Sequence, residues 1–244
     1  MPLYLSFRLA EIPYFSQKTC PMNYFTPAYL DFFKELSVNN HKAWFDEHRS
    51  RYENDVKKPF NRFIQDFIFR IHLVDPKVQI EPKDAIVRIN RDIRFSKDKA
   101  PYKLHMGAII SPLGKRDKMY PGIYIELAAD AIRFFGGCYF LDTKMLHAVR
   151  SLMAESPHEF REAYTEPSFV ELFGTLQGEK NKRIPPEFAE AFRTEPLIAG
   201  KQFYFGTELE NSLITHENLL DELMNYYHAS RKINAFLEKA FESV

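Results

Sequence analysis

The sequence predicts an α+β fold: a single domain in which an antiparallel sheet is flanked by N-terminal and C-terminal helices. Apolar residues recur at three- and four-residue spacing through the opening third of the chain and again at its end, the period of amphipathic helices. Between these regions the pattern changes to alternating or β-branched runs separated by Gly, Pro and Asp, as antiparallel strands require. Helices grouped before and after the strands argue against a doubly wound parallel sheet. No internal repeat, low-complexity tract or long linker divides the 244 residues.

Taken in order, residues 1–21 show no clear period and no basic leader followed by an apolar stretch. Residues 1–22 are expected to form an extension, with Met22 as a natural alternative start, and residues 23–244 the domain. Thr26-Pro27 supplies a hydroxyl cap and a first-turn proline for a helix carrying Leu30, Phe33 and Leu36. Asn40 reads as the cap of a second helix through Trp44, Phe45, His48, Tyr52 and Val56. Pro59 is expected to kink or restart that helix. Beyond it, Phe60, Phe63, Ile64, Phe67, Ile68 and Ile71 form one apolar face. Strands are expected over Val78–Phe95 with an interruption at Pro82, then Leu104–Ile110, Ile123–Leu127 and Ala131–Phe135, the last two joined by a tight turn at Ala128–Asp130. Helix resumes at Asp142, and Ser156-Pro157-His158-Glu159 has the form of a capping box. A turn-rich segment containing Pro185-Pro186, a strand over Lys201–Phe205 and a long helix capped by Thr215 complete the chain.

Composition narrows the function. Lys+Arg and Asp+Glu number 33 each, so any attraction for an anion must be local. The neutral balance disfavours a non-specific nucleic-acid binder. Two cysteines, Cys20 and Cys138, make no metal pair or disulfide framework, which suits a reducing cytoplasm. No apolar run approaches the roughly 18 residues of a membrane span.

The stretch VRINRDIRFSKDKAPYK, Val87 to Lys103, stands out because it carries six basic residues and two acids. On a strand, Val87, Ile89, Arg91, Ile93 and Phe95 face one way and Arg88, Asn90, Asp92 and Arg94 the other. Guanidiniums in such a row suit phosphate or carboxylate oxygens, with Asp92 as orienter, acid or base. Ser96-Lys97-Asp98-Lys99 makes a charged turn, and Tyr102-Lys103 leads into the next strand. The competing reading is structural: a cross-strand ladder of ion pairs on a solvated face, with Arg91 as a buried ion pair.

Arg88 to Lys103 resembles the signature of the uncharacterised family called domain of unknown function 2461, DUF2461. Phe33-Lys34-Glu35-Leu36 with Asn39-Asn40 and Trp44-Phe45 resembles the family's opening motif, Phe135–Tyr139 its glycine-rich segment, and Lys182-Arg183-Ile184-Pro185 its later basic motif. The resemblance covers roughly residues 24 to 242. Asn181 and Pro186-Glu187 depart from the family pattern and put any role of Lys182-Arg183 in doubt. The family implies no established activity, cofactor or catalytic residue. The mixture of Asn90, Ser96 and Tyr102 with the charges gives the ligand reading added support.

Other constellations are weaker. Eight scattered histidines include no HExxH or HxH set, so no metal site is expected. Glu81-Pro82-Lys83 has the E-x-K form of a metal nuclease, but Pro82 is awkward in a central strand. Arg133–Phe140 mixes basic, aromatic and glycine residues without matching an RNA-recognition strand; a glycine bulge ending a hairpin strand explains it better. There is no GxGxxG, P-loop or GxSxG, and Trp44 reads as a packing anchor between helices. The leading expectation is a site, without a cofactor, for a phosphorylated or otherwise anionic small molecule. Its expected contacts are Arg88, Asn90, Arg91, Arg94, Ser96, Lys97, Lys99, Tyr102 and Lys103, with Asp92 as a candidate catalytic group. The alternatives are nucleic-acid binding through the same patch, or a structural or partner-binding domain.

Overall fold

The computed structural model describes residues 22–242, so all of the expected N-terminal extension but Met22 lies outside the described residues. Helix α1, Pro27–Val38, starts as expected after Thr26 and buries Tyr29, Phe32, Phe33 and Leu36. Helix α2, Lys42–Glu47, is capped by His41, whose ring accepts from the Trp44 amide, and not by Asn40. Asn40 is drawn away to the backbone of Tyr102. After a break at His48 the chain runs through α3, Arg49–Arg51, and a π-helical turn, Tyr52–Lys57, into α4, Lys58–Val74. The π-helical turn ends and α4 starts at Lys58 with Pro59 in its first turn, which is the expected restart. The Lys58 amide bonds to the Glu53 carbonyl five residues back, and this wider turn accommodates a proline that lacks an amide proton. The six apolar residues assigned to the face of α4 are all buried.

The expected strand from Val78 to Phe95 shrinks to two residues. Pro82–Ala85 is a short helix, α5, with proline in its first turn, and only Ile86–Val87 forms a strand, β1. The nuclease-like Glu81 therefore caps a helical turn that contains Lys83, and the two pair with each other at 2.6 Å. Strands β2, His105–Ile110, β3, Gly122–Ala128, and β4, Ala131–Cys138, follow near their expected positions. A helical excursion then begins with α6, Thr143–Glu155, capped by the Asp142 carboxylate, and α7, Pro157–Tyr164. The expected capping box does not form: Ser156 makes no side-chain cap, and the Glu159 carboxylate accepts from Lys239. Helices α8, Pro167–Phe173, and α9, Ala189–Thr194, were too short to read from periodicity. After β5, Phe203–Glu210, the terminal helix α10 runs from Leu219 to Glu242. Thr215 closes a preceding 3-10 turn and does not cap α10.

All neighbouring strands are antiparallel, in the order β1-β2-β3-β4-β5, and the sheet is open. Its inner face, including Ile123, Ile125, Leu127, Ile132 and Phe134, belongs to one hydrophobic cluster shared with the helices from both ends of the chain. Helix α10 packs on β4, α8 on β5 and α4 on β2. The opposite face presents His105, Tyr124, Glu126, Arg133, Phe135 and Tyr204, all only partly buried. Among the described residues no helix is long and apolar enough to cross a membrane.

Candidate anion-binding site

After β1 the backbone leaves the ladder. Its return is held by the bridge between Asn90 and Tyr102, the Arg91 amide on the Pro101 carbonyl at 2.9 Å and the Lys103 amide on the Ile89 carbonyl at 2.9 Å. The Asn40 amide group clamps this return from the helical side, donating to the Tyr102 carbonyl at 2.9 Å and accepting from its amide at 3.1 Å. The Tyr102 ring stacks on Phe45, with centroids 4.0 Å apart and planes 15° apart. The alternation survives without a ladder: Arg88, Asn90, Asp92 and Arg94 are exposed, whereas Ile89 is buried and Arg91 and Ile93 are partly so. It fails at Phe95, which is 95% exposed and not turned inward as expected.

The predicted contacts separate into two groups. Arg91 bonds to Asp98 and the Ala100 carbonyl, Arg94 forms a two-pronged pair with Asp92, and Lys99 bonds to the Ile93 carbonyl. The Arg94 bonds hold the Asp92 carboxyl below its ordinary range, so Asp92 is an ionised partner of Arg94. Lys97 is exposed and Ser96 partly buried, and neither lines the cleft described next. Arg88, by contrast, has no hydrogen-bond or ion-pair partner among the described residues. Neither has the ammonium of Lys103, which burial, followed by the nearby Lys118 and Arg88 charges, pushes below its ordinary pKa despite the attraction of Glu126.

Arg88, Asn90 and Tyr102 line a cleft of about 420 Å³ between the sheet edge at β1 and the helical run from α2 to α4. Sequence reading missed the opposite wall, where Arg49, Glu53, Lys57 and Asn61 follow at four-residue intervals along one helical stripe. Lys115 also lines the cleft. The lining sets four cations against one carboxylate. Glu53 is engaged by Lys57 at 2.8 Å, and Arg49 pairs outside the lining with Asp46. Lys115 donates to the Lys83 and Ile86 carbonyls, so neither it nor Arg88 forms an ion pair within the lining, although the Asp92 carboxylate acts on Arg88 from a distance. Burial pushes the Tyr52 hydroxyl up to about 12 and also raises that of Tyr102, so both are neutral hydrogen-bond donors at neutral pH. The arrangement can hold an anion between cations and amides. Among the described residues no cluster of three His, Cys, Asp or Glu side chains offers a metal site.

The DUF2461 family model, which describes a conserved hypothetical protein, matches residues 28–236. The chain belongs to the DUF2461 family. Nothing matches it among curated proteins or among solved structures. The segments that resemble the DUF2461 pattern occupy distinct places. Asn40 is the clamp on Tyr102, and Trp44 packs between Phe32 and His48 with ring centroids at 5.6 and 4.1 Å. Gly137, at φ 85°, donates its amide to Asn234 at 3.1 Å, but it pairs one-to-one with Gly122 and Tyr204, so the expected glycine bulge is not formed. Lys182 and Arg183 are exposed and do not line the cleft.

Proposed function

We propose that this DUF2461 protein binds a phosphorylated small molecule in the cleft between β1 and the α2–α4 run, with Arg88 as its principal contact. The observation that carries this reading is an unpartnered guanidinium lining a concavity that also contains Lys115 and the amide side chains of Asn61 and Asn90. A volume of about 420 Å³ suits a small metabolite. Arginine pairs with phosphate oxygens through two parallel hydrogen bonds, and local positive potential can attract an anion to a chain of zero net charge. The phenol of Tyr102 and the edges of Asn61 and Asn90 would orient the neutral part of the ligand. A phosphorylated metabolite and a buried free thiol at Cys138 both suit the cytoplasm.

A thermal-shift screen with nucleotides, phosphosugars and short oligonucleotides tests this on the wild type, Arg88→Ala and Arg94→Ala. A ligand present at 100 times its Kd stabilises by about 2.7 kcal/mol, a shift of roughly 5–10 °C for a chain of this size. The shift is expected to survive in Arg94→Ala and to disappear in Arg88→Ala. An equal shift in both variants, or no hit among the phosphorylated compounds, overturns the reading. A hit confined to oligonucleotides, weakening steeply with salt, would replace it with nucleic-acid binding.

A further inference from the structure

We propose that the outer face of the sheet carries a second site, which takes a planar aromatic acid in the hollow bounded by Tyr124, Phe135, Tyr139 and Tyr204, with Lys118 as the contact for its carboxylate. The hollow, of about 500 Å³, follows from the strand register. Gly122 lies opposite Gly137, so one cross-strand pair contributes no side chains. In the next outward-facing pair Tyr124 lies opposite Phe135, and Tyr204 lies opposite Gly137 on the other neighbouring strand. A glycine floor between aromatic walls makes a slot for a flat ring.

Two further glycines set the walls. A Cβ at Gly107 would lie 2.6 Å from the Tyr124 hydroxyl, and one at Gly206 would lie 2.1 Å from the Phe135 ring. The Tyr124 and Phe135 rings therefore lean across neighbouring strands over bare backbone. Tyr139, 51% exposed, meets Tyr204 edge-on at 5.1 Å. Such walls favour offset or edge-to-face contact with a ligand ring.

Charge complementarity selects an acid. Lys118 is the only cation in the lining and has no partner among the described residues. The hydroxyls of Tyr139 and Tyr204 also lack partners there, which leaves donors for carboxylate oxygens. Lys103 also lies near Lys118, but the Glu126 carboxylate offsets its charge, so the selection rests on Lys118. The hollow shares no lining residue with the Arg88 cleft, so the two sites are separable.

The test is calorimetric titration of the full chain with 2-naphthoate and with the neutral 2-naphthamide. Naphthoate is expected to bind saturably, one per chain. Lys118→Met should weaken it about tenfold, the loss of one charge-assisted contact, and leave naphthamide unchanged. Tyr139→Ala should weaken both, and Arg88→Ala neither. Circular dichroism and thermal midpoints confirm that each variant is folded. Several results overturn the proposal: no saturation at millimolar naphthoate, equal naphthoate affinity in Lys118→Met, tighter binding of octanoate, or loss of binding in Arg88→Ala. So does a dimer that Tyr204→Glu converts to monomer, since a second copy would then fill the hollow.

Discussion

Replacing Asn40 by alanine should destabilise the protein through a residue 62 positions away. The Asn40 side chain makes two hydrogen bonds to the backbone of Tyr102, at 2.9 and 3.1 Å, and Tyr102 is only 6% exposed. Each bond contributes about 0.5–1.5 kcal/mol, and a buried group left unpaired costs about 1–3 kcal/mol. Partial access of water through the cleft limits the sum, so the expected loss is about 2–3 kcal/mol, or roughly 5–10 °C in Tm. Urea unfolding measures it. Asn40→Asp keeps an acceptor for the Tyr102 amide but puts a carboxylate against the Tyr102 carbonyl, so it should recover little. Asn39→Ala, which removes a single bond to the Glu35 carbonyl, should cost about 1 kcal/mol. A loss below about 0.5 kcal/mol for Asn40→Ala, or a fully stable Asn40→Asp, would refute the clamp.

Other expectations follow from the same geometry. Tyr102→Ala removes a ring stacked on Phe45 and should cost about 3–5 kcal/mol in urea unfolding, whereas Tyr102→Phe keeps the stack and should cost much less. Asp98→Ala breaks the pair with Arg91, but Asp98 is 65% exposed, so the change should stay below about 1 kcal/mol. Gly137→Ala places a Cβ 2.3 Å from the Phe203 carbonyl oxygen at a φ of 85° and should cost more than about 2 kcal/mol. Burial lowers the pKa of His105 below its ordinary value of 6.5, and Glu126 partly opposes the shift. Between these two values the unfolded chain holds a proton that the folded chain does not. The His105 contribution therefore weakens stability as pH falls through 6.5 and levels off below the folded pKa. An NMR titration should give a midpoint below 6.5, moved lower again by Glu126→Gln; a midpoint at or above 6.5 contradicts burial as the leading cause.

Local signals were legible where local physics decides the outcome. The six buried residues of α4 and the β3–β4 hairpin follow from spacing and turn chemistry alone. The motif from Arg88 to Lys103 was legible as a polar row but not as a loop. Its alternation of exposed and buried side chains persists, while its backbone is held by one bridge and by Asn40 instead of a full ladder. Nothing local marks Asn40 as a clamp, because a helix cap and a long-range backbone bond call for the same side chain. The cleft was half legible. Arg88, Asn90 and Tyr102 lay in the conspicuous motif, whereas Arg49, Lys57 and Asn61 repeat along a helix some forty residues earlier and meet them only through the tertiary fold. Within the motif, Arg91 and Arg94 look like Arg88 in sequence. They differ because Asp98 and Asp92 pair directly with them, whereas Arg88 feels the Asp92 carboxylate only at a distance and forms no ion pair among the described residues.

The most direct test of an anion site at Arg88 is a crystal soaked in tungstate, a phosphate-like ion located by its anomalous scattering. A peak within hydrogen-bonding distance of the Arg88 guanidinium inside the cleft, absent from Arg88→Ala crystals, is the expected result. Tungstate bound only at other surface cations, with the cleft vacant beside an ordered Arg88, would contradict it.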